Sequence, residues 1–235
     1  DDKLLHLRDE EGRRITFERV RDGESTFHRR ERMWLHGQRD GFRIERLEER
    51  LTLHFERFQA HDDTGPAMLT RIEDRRGNVV RFFYDAGRLT QVVDTAGHHI
   101  DLFWKQHGGH DRLSELRVSG GAHTFSLHYR YDSRDGCLVQ VTDPCRHAEQ
   151  YAYDKRNRMV AVTLKNGVVF QYEYDDTTNR CIHTWGPDGL YELTFEYDVV
   201  ARRTIARGEE SRVYDWNDAG RMLHEATLNG IVLEH

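Results

Sequence analysis

Apolar and polar positions alternate with a period of two along most of this chain. In Val168-Val169-Phe170-Gln171-Tyr172-Glu173-Tyr174, large apolar or aromatic side chains fall on one side and polar ones on the other, as a half-buried strand requires. Met159-Val160-Ala161-Val162-Thr163-Leu164 is a shorter apolar run of strand length, and Lys165-Asn166-Gly167 lies between the two. Asn-Gly is a strong hairpin signal because both residues accept positive φ. Nearer the N-terminus, residues 15–20 and 51–58 alternate in the same way, and Asp22-Gly23 and Asp40-Gly41 mark turns. Ile44, Leu47, Leu51, Phe55 and Phe58 also approach helical spacing. Strand is favoured there, because Thr52 and the alternation of Leu51, Leu53 and Phe55 fit their surroundings. Helical periodicity is absent from the C-terminal half, so the expected class is all-β.

The alternation is itself repeated. Tyr-Asp recurs at Tyr84-Asp85, Tyr131-Asp132, Tyr153-Asp154, Tyr174-Asp175 and Tyr197-Asp198, the last three intervals being 22, 21 and 23 residues. Trp216-Asn217 is a sixth copy, continuing through Gly220 and Arg221. The first interval, 47 residues, is about two periods and places a degenerate copy near Leu102-Phe103-Trp104. Each copy runs into a turn residue, an Arg and an aliphatic residue, as in Gly87-Arg88-Leu89 and Asn157-Arg158-Met159. Gly and Asn tolerate positive φ, and Asp caps a turn through its own carboxylate. Trp185-Gly186-Pro187-Asp188-Gly189, followed by residues 191–197, repeats the same grammar, as does Leu228-Asn229-Gly230. One period is therefore two short strands and two turns. Because a lone hairpin is marginal in water, such units must stack edge to edge. The expectation is antiparallel β-hairpin repeats with a ~22-residue period, stacked into one large curved sheet.

These residues resemble the RHS/YD-repeat family. The resemblance rests on the Tyr-Asp-x-x-Gly-Arg-Leu grammar, with support from Asp74-Arg75-Arg76-Gly77-Asn78, Thr142-Asp143-Pro144 and the Asn-Gly and Asp-Gly turns, and it covers about residues 61–232. Cys137 departs from the pattern by replacing the Arg, Cys145 by standing where an Asp-Pro-x-Gly turn usually has Gly or another residue. The copies at 84 and 174 lose or gain a residue. The resemblance implies a segment of a β-shell that encloses a C-terminal toxin in bacterial polymorphic toxins, often exported by type VI secretion. Residues 1–60 read as a β-rich segment continuous with that sheet, residues 61–232 as the repeats, and residues 233–235 as the start of an expression-tag scar on a piece of a longer protein.

Composition narrows the function classes. At 37% hydrophobic and 32% charged residues, with a mean hydropathy of −0.83, the chain can build a core but has no apolar run long enough for a membrane span. No N-terminal segment reads as a signal peptide. The net charge is −6, and residues 1–60 carry 14 basic and 14 acidic side chains, so the basic patch of a nucleic-acid binder is missing. Arg dominates the cations; it pairs well with carboxylates and aromatic faces, although a GC-rich genome gives the same bias. Cys137, Cys145 and Cys181, without a CxxC pair, point to a reducing folding compartment rather than a disulfide framework.

Each candidate chemistry has a plainer explanation. His98-His99 and His107-Gly108-Gly109-His110 lack the converging ligands of a zinc site and read as solvated loop residues. Cys137 and Cys145 with His147 lack a readable oxyanion device. The Asp residues of the repeats come once per period, whereas a catalytic residue is normally unique. Trp34, Trp104, Trp185 and Trp216, with the tyrosines, could form a sugar platform, but aromatic ladders are also an ordinary way to brace a sheet. No catalytic, cofactor-binding or metal residue is assigned, and no cofactor. The site residues are structural: Tyr84, Asp85, Gly87, Arg88, Tyr131, Asp132, Tyr153, Asp154, Asn157, Arg158, Tyr174, Asp175, Tyr197, Asp198, Trp216, Gly220 and Arg221.

The expected function is a non-catalytic wall segment of a toxin shell, made in the cytoplasm of the producing bacterium and then delivered to target cells. Its partners would be the rest of the shell and the enclosed toxin, with self-association through sheet edges or capping by a secretion or chaperone partner. Nucleic acid and a membrane span are not expected. The alternative is a cell-surface module recognising glycan or protein, as in the teneurins that resemble this family; a hydrolase or nuclease ranks third.

Overall fold

The computed structural model describes residues 4–57, 65–217, 222–227 and 232–234. Among the described residues the chain is antiparallel β throughout, with one short 3-10 turn at Pro187–Gly189 and no α-helix. It divides into two compact units, residues 1–104 with 115–126, and residues 105–114 with 127–235.

In the first unit, β1 (Leu4–Arg8) and β2 (Arg14–Glu18) form a separate two-stranded sheet. β3 (Ser25–His28), β4 (Met33–Gln38), β5 (Gly41–Arg46), β6 (Leu51–Glu56), β7 (Met68–Asp74), β8 (Val79–Asp85), β9 (Arg88–Val93) and β10 (His99–His107) follow, each antiparallel to the next. The alternation decides which side chains go inward. Ile15 and Phe17 of β2 and Leu7 of β1 are buried against Met33 and Leu35 of β4, Phe42 and Ile44 of β5 and Leu53 of β6. Leu35 is 0% exposed and Ile44 2%. Burial of this kind stabilises by roughly 25 cal/mol per Å² of apolar surface removed from water. Gly41 is needed where β5 begins, since a Cβ there would lie 1.8 Å from the Phe55 carbonyl oxygen. Of the strand expected over residues 51–58, β6 covers Leu51–Glu56, and Phe58 lies outside the described residues; Ile44 lies on β5 and Leu47 in the turn between them, so their helical spacing is coincidental.

In the second unit, Gly108 and Gly109, both at positive φ, turn the chain from the end of β10 into β11 (His110–Ser119). The ladder then runs through β12 (Phe125–Tyr131), β13 (Leu138–Thr142), β14 (Ala148–Tyr153), β15 (Met159–Thr163), β16 (Val169–Tyr174), β17 (Cys181–Trp185), β18 (Leu193–Asp198), β19 (Arg203–Arg207), β20 (Arg212–Trp216), β21 (Met222–Thr227) and β22 (Val232–Glu234). From β12 on, every strand pairs antiparallel with its successor. The hairpin array read from the period is what the chain forms. One segment differs: residues 191 and 192 are not strand. Asp188 and Tyr191 take positive φ around the 3-10 turn, and β18 starts only at Leu193.

The turns come in two kinds. At one end, Asp74, Asp94, Asp143 and Leu164 each open a three-residue turn closed by the carbonyl of residue 78, 98, 147 or 168. The third turn residue takes positive φ, and it is Gly77, Gly97 and Gly167 in three cases but Arg146 in the fourth. The irregular residue of that turn is thus Arg146, one place beyond Cys145. At the other end, the Tyr-Asp turns vary in length. Asp85 and Arg88 face each other across a two-residue Ala86-Gly87 turn, whereas Asp154 takes three residues and Asp132 and Asp175 take four.

Candidate functional site

The repeated Tyr-Asp positions form one recurrent arrangement. Each tyrosine hydroxyl donates a hydrogen bond to a backbone carbonyl of the preceding strand, at or near its start. Tyr84 reaches Leu69 (2.9 Å), Tyr131 reaches Leu113 (2.9 Å), Tyr153 reaches Leu138 (2.9 Å), Tyr174 reaches Met159 (2.8 Å) and Tyr197 reaches Cys181 (2.6 Å). Trp104 fills the degenerate position, its indole N–H donating to the Leu89 carbonyl at 2.9 Å. Trp216 instead reaches the Thr204 hydroxyl at 3.3 Å.

A bulge accompanies the bond at four of the five tyrosines; at Tyr197 the ladder is regular. The ladder register shifts by one residue at Tyr84, Tyr131, Tyr153, Tyr174 and Trp216. The extra residue sits on the following strand, as Thr90, Val139, Val160, Ile182 or Leu223. Bulges re-aim groups that a regular ladder would hold in line. The residue facing each tyrosine then becomes the acceptor of the next repeat: Met159 faces Tyr153 and accepts from Tyr174, and Cys181 faces Tyr174 and accepts from Tyr197. The clamps thus form a relay along the sheet. Phe55 belongs to it as well, since it faces Leu69 across a bulge at Thr70, and Leu69 accepts from Tyr84. Sequence reasoning missed Phe55; the available signal was the Leu69-Thr70 pair, which matches Leu89-Thr90.

The aspartates hold the turns. Asp132 Oδ1 accepts the backbone N–H groups of Arg134, Asp135 and Gly136, and Asp154 Oδ1 those of Arg156 and Arg158. Asp175 takes the N–H and hydroxyl of Thr178, and Asp198 the N–H of Ala201. Hydrogen bonds to the ionised form lower a carboxyl pKa. The Asp135 N–H, foremost, holds Asp132 below the usual carboxylate range, and the Thr178 hydroxyl does so for Asp175. Burial opposes this at Asp154, but the N–H and guanidinium of Arg158 outweigh it. The tyrosines move the other way: burial pushes Tyr84, Tyr153, Tyr174 and Tyr197 upward, as it does Tyr131.

Arginine joins one turn to the next. Arg158 binds Asp154 at 2.6 Å, reaches Asp176 at 2.8 Å and Asn179 at 3.2 Å, and stacks over the Tyr174 ring at 5.0 Å. Arg180 lies over the Tyr197 ring at 4.9 Å. Cys137 holds the corresponding place before Tyr153. Further along, Arg203 grips Asp215 with two bonds (2.7 and 3.2 Å) and Arg207 grips Glu196 (2.7 and 3.0 Å). Gly220 and Arg221, with the Leu228-Asn229-Gly230 turn, lie outside the described residues.

The remaining candidates are scattered. Cys145 is exposed at a turn tip, and burial pushes the Cys137 thiol up, away from nucleophilic character. His147 lies 3.7 Å from Asp143 and His98 2.7 Å from Asp94, each within its own turn. Among the described residues no three His, Cys, Asp or Glu side chains converge as metal ligands, and no helix is long and apolar enough to cross a membrane. Of the four indoles, Trp104 and Trp216 brace neighbouring strands, Trp185 stacks on His183 at 4.4 Å, and Trp34 sits between Phe27 and His36.

Comparison with known proteins agrees with this repeat. A family model described as RHS Repeat matches residues 61–99. The chain carries an RHS repeat. Two curated bacterial proteins align with this chain over nearly its whole length. One is the "Probable deoxyribonuclease RhsB" of Dickeya dadantii, 25% identical over 94% of this chain. The other is the "Double-stranded DNA deaminase toxin A" of Burkholderia cenocepacia, 28% identical over 92%. The chain spans only 15% of the length of either. Among solved structures, the Tc holotoxin pore of Photorhabdus luminescens superposes on 85% of this chain and 12% of its own, with a TM-score of 0.51 and 14% identity, which shows a shared fold.

Proposed function

We propose that this chain is a non-catalytic wall segment of an RHS-repeat shell enclosing a toxin, made in the bacterial cytoplasm and exported by type VI or a related secretion system. The tyrosine-to-carbonyl relay carries this reading. It fastens each strand to its neighbour from within the sheet, so a wall built this way stands without a packed layer on its face. In the second unit, Ala206 is the one buried hydrophobic residue among those described. The Asp and Tyr groups recur once per repeat, as structural parts do. The enclosed toxin and the rest of the shell are the partners, and the names of the two longer relatives fit such cargo.

The test uses the full-length parent and this chain side by side. Under limited proteolysis the parent's C-terminal region should stay intact while the shell is folded and be digested once it is unfolded. Equal digestion in both states would overturn enclosure. The 235-residue chain alone should leave double-stranded DNA neither cut nor deaminated; turnover above blank would overturn the non-catalytic assignment.

A further inference from the structure

In the first unit, the layer formed by β1 and β2 is narrower than the sheet beneath it. Leu7, Ile15 and Phe17 close over the floor of β4, β5 and β6, but Phe55, Ala67, Leu69 and Ile72 are only partly buried at the margin of this cluster. A cleft of about 490 Å³ opens at that margin, within the roughly 300–1,000 Å³ range of ligand-sized clefts. Its floor is Phe42, Ile44 and Phe55.

Two features say what the cleft takes. All five residues of β1 line it. Successive residues of a strand point to opposite faces, so a cleft touching all of them follows the strand's edge. Among the described residues β1 pairs only with β2, which leaves its other edge unpaired. An unpaired edge is a template for another strand. The second feature is charge. Among the described residues, Arg8, Arg19 and Arg57 line the cleft, Arg57 over the Phe42 ring at 4.7 Å, and no carboxylate does. The Arg8 side chain has no ion pair or hydrogen bond among the described residues and faces Arg14 across the ladder. Like charges directly opposite each other are unfavourable, and an anionic partner relieves them.

We propose that this cleft is a docking groove for an extended peptide segment of alternating aliphatic and acidic residues. The segment adds as a third strand to the free edge of β1, its aliphatic side chains covering Phe55 and Ala67 and its carboxylates meeting the guanidinium rim. Backbone pairing supplies affinity and the alternate side chains supply selectivity, as in other β-strand additions. The groove lies wholly within the first unit, and the inference stands whether or not the chain is a toxin-shell wall.

The probe is a synthetic heptapeptide alternating glutamate and valine, titrated into the 235-residue chain by calorimetry, with a lysine-valine heptapeptide and laurate as comparators. The acidic peptide should bind saturably and at least about tenfold more tightly than the lysine version. Hydrogen exchange should slow at the β1 amides. Arg8→Glu, a change at an exposed side chain, should weaken binding about tenfold or more while the exchange of β4 and β5 stays as in the parent. No saturation at millimolar peptide, or binding without protection of β1, would overturn the proposal. So would laurate displacing the peptide without protecting β1, which would mark a site for small amphiphiles. Protection of β1 that rises with protein concentration in the absence of peptide would overturn it too, in favour of a second copy of this chain.

Discussion

Leu35 of β4 and Phe170 of β16 occupy inward-alternating positions on six-residue strands, yet only Leu35 is fully buried. Around Leu35, a second sheet layer closes over the first, and nine hydrophobic side chains form a buried cluster. Phe170 faces Val162 and stacks on the Tyr191 ring at 6.3 Å, and the other stabilising contacts of its strand lie along the sheet: the Tyr174 hydroxyl on the Met159 carbonyl, Asp154 and Asp175 holding their turns, and Arg158 joining one turn to the next. The first arrangement draws on the hydrophobic effect, which needs two layers. The second draws on hydrogen bonds and ion pairs, worth less singly but repeated every ~22 residues, the recurring unit that lets such arrays grow.

The two regions should therefore fail differently. Leu35→Ala creates a cavity in the core and should cost about 3 kcal/mol. In hydrogen exchange, β2–β6 should lose protection while β13–β18 keep theirs; equal loss in both would erase the distinction.

High pH should act in reverse, loosening the repeat unit first. Asp132 and Asp175 have folded pKa values below 3.8, so the stability they give is present above about pH 4 and lost as pH falls through the folded values. Tyr153, Tyr174 and Tyr197 have folded values above 10.0, so their contribution is present below pH 10 and lost as pH rises through those values. Acid acts on both regions, since burial also holds His36 of β4 and His54 of β6 below 6.5, so their contribution is lost as pH falls through that value. Exchange followed at pH 11 should show β13–β18 opening before β4 and β5. The opposite order would place the ladder's stability elsewhere.

Two smaller effects sharpen the account of the turns. Arg146 holds a positive φ of 67°, where its counterparts are Gly77, Gly97 and Gly167. A left-handed conformation strains a residue bearing a Cβ, so Arg146→Gly should stabilise by about 1 kcal/mol in a urea titration. Cys137→Arg should place a cation before Tyr153, as Arg158 lies over Tyr174, and add about 0.5 kcal/mol. A double-mutant cycle with Tyr153→Leu would show whether the ring is involved.

The ladder was legible in the sequence because its parts are local. Alternation, Asn-Gly and Asp-Gly turns and the Tyr-Asp period lie within a few residues of one another, and the missing copy near Trp104 could be placed by interval alone. The bond was not legible: Leu89, Leu138 and Met159 recur as the aliphatic residue after the turn, but a backbone carbonyl leaves no side-chain mark of its role as acceptor. Phe55 escaped because it lacks both the hydroxyl and the aspartate. Nor does alternation reveal the layer of β1 and β2, since it says which face is buried and not against what. At residues 186–192, Gly-Pro-Asp-Gly announces a turn but not the positive φ of Tyr191 that delays β18.

The central claim is that the repeats are held by tyrosine hydroxyls on neighbouring backbone. The most direct measurement is site-resolved hydrogen exchange on the triple variant Tyr153→Phe, Tyr174→Phe and Tyr197→Phe, which keeps the rings and removes three donors. At about 1 kcal/mol per lost bond, amides of β13–β18 should exchange markedly faster while those of β2–β6 stay unchanged. Unchanged exchange in β13–β18 would contradict the claim and assign the tyrosines to packing alone.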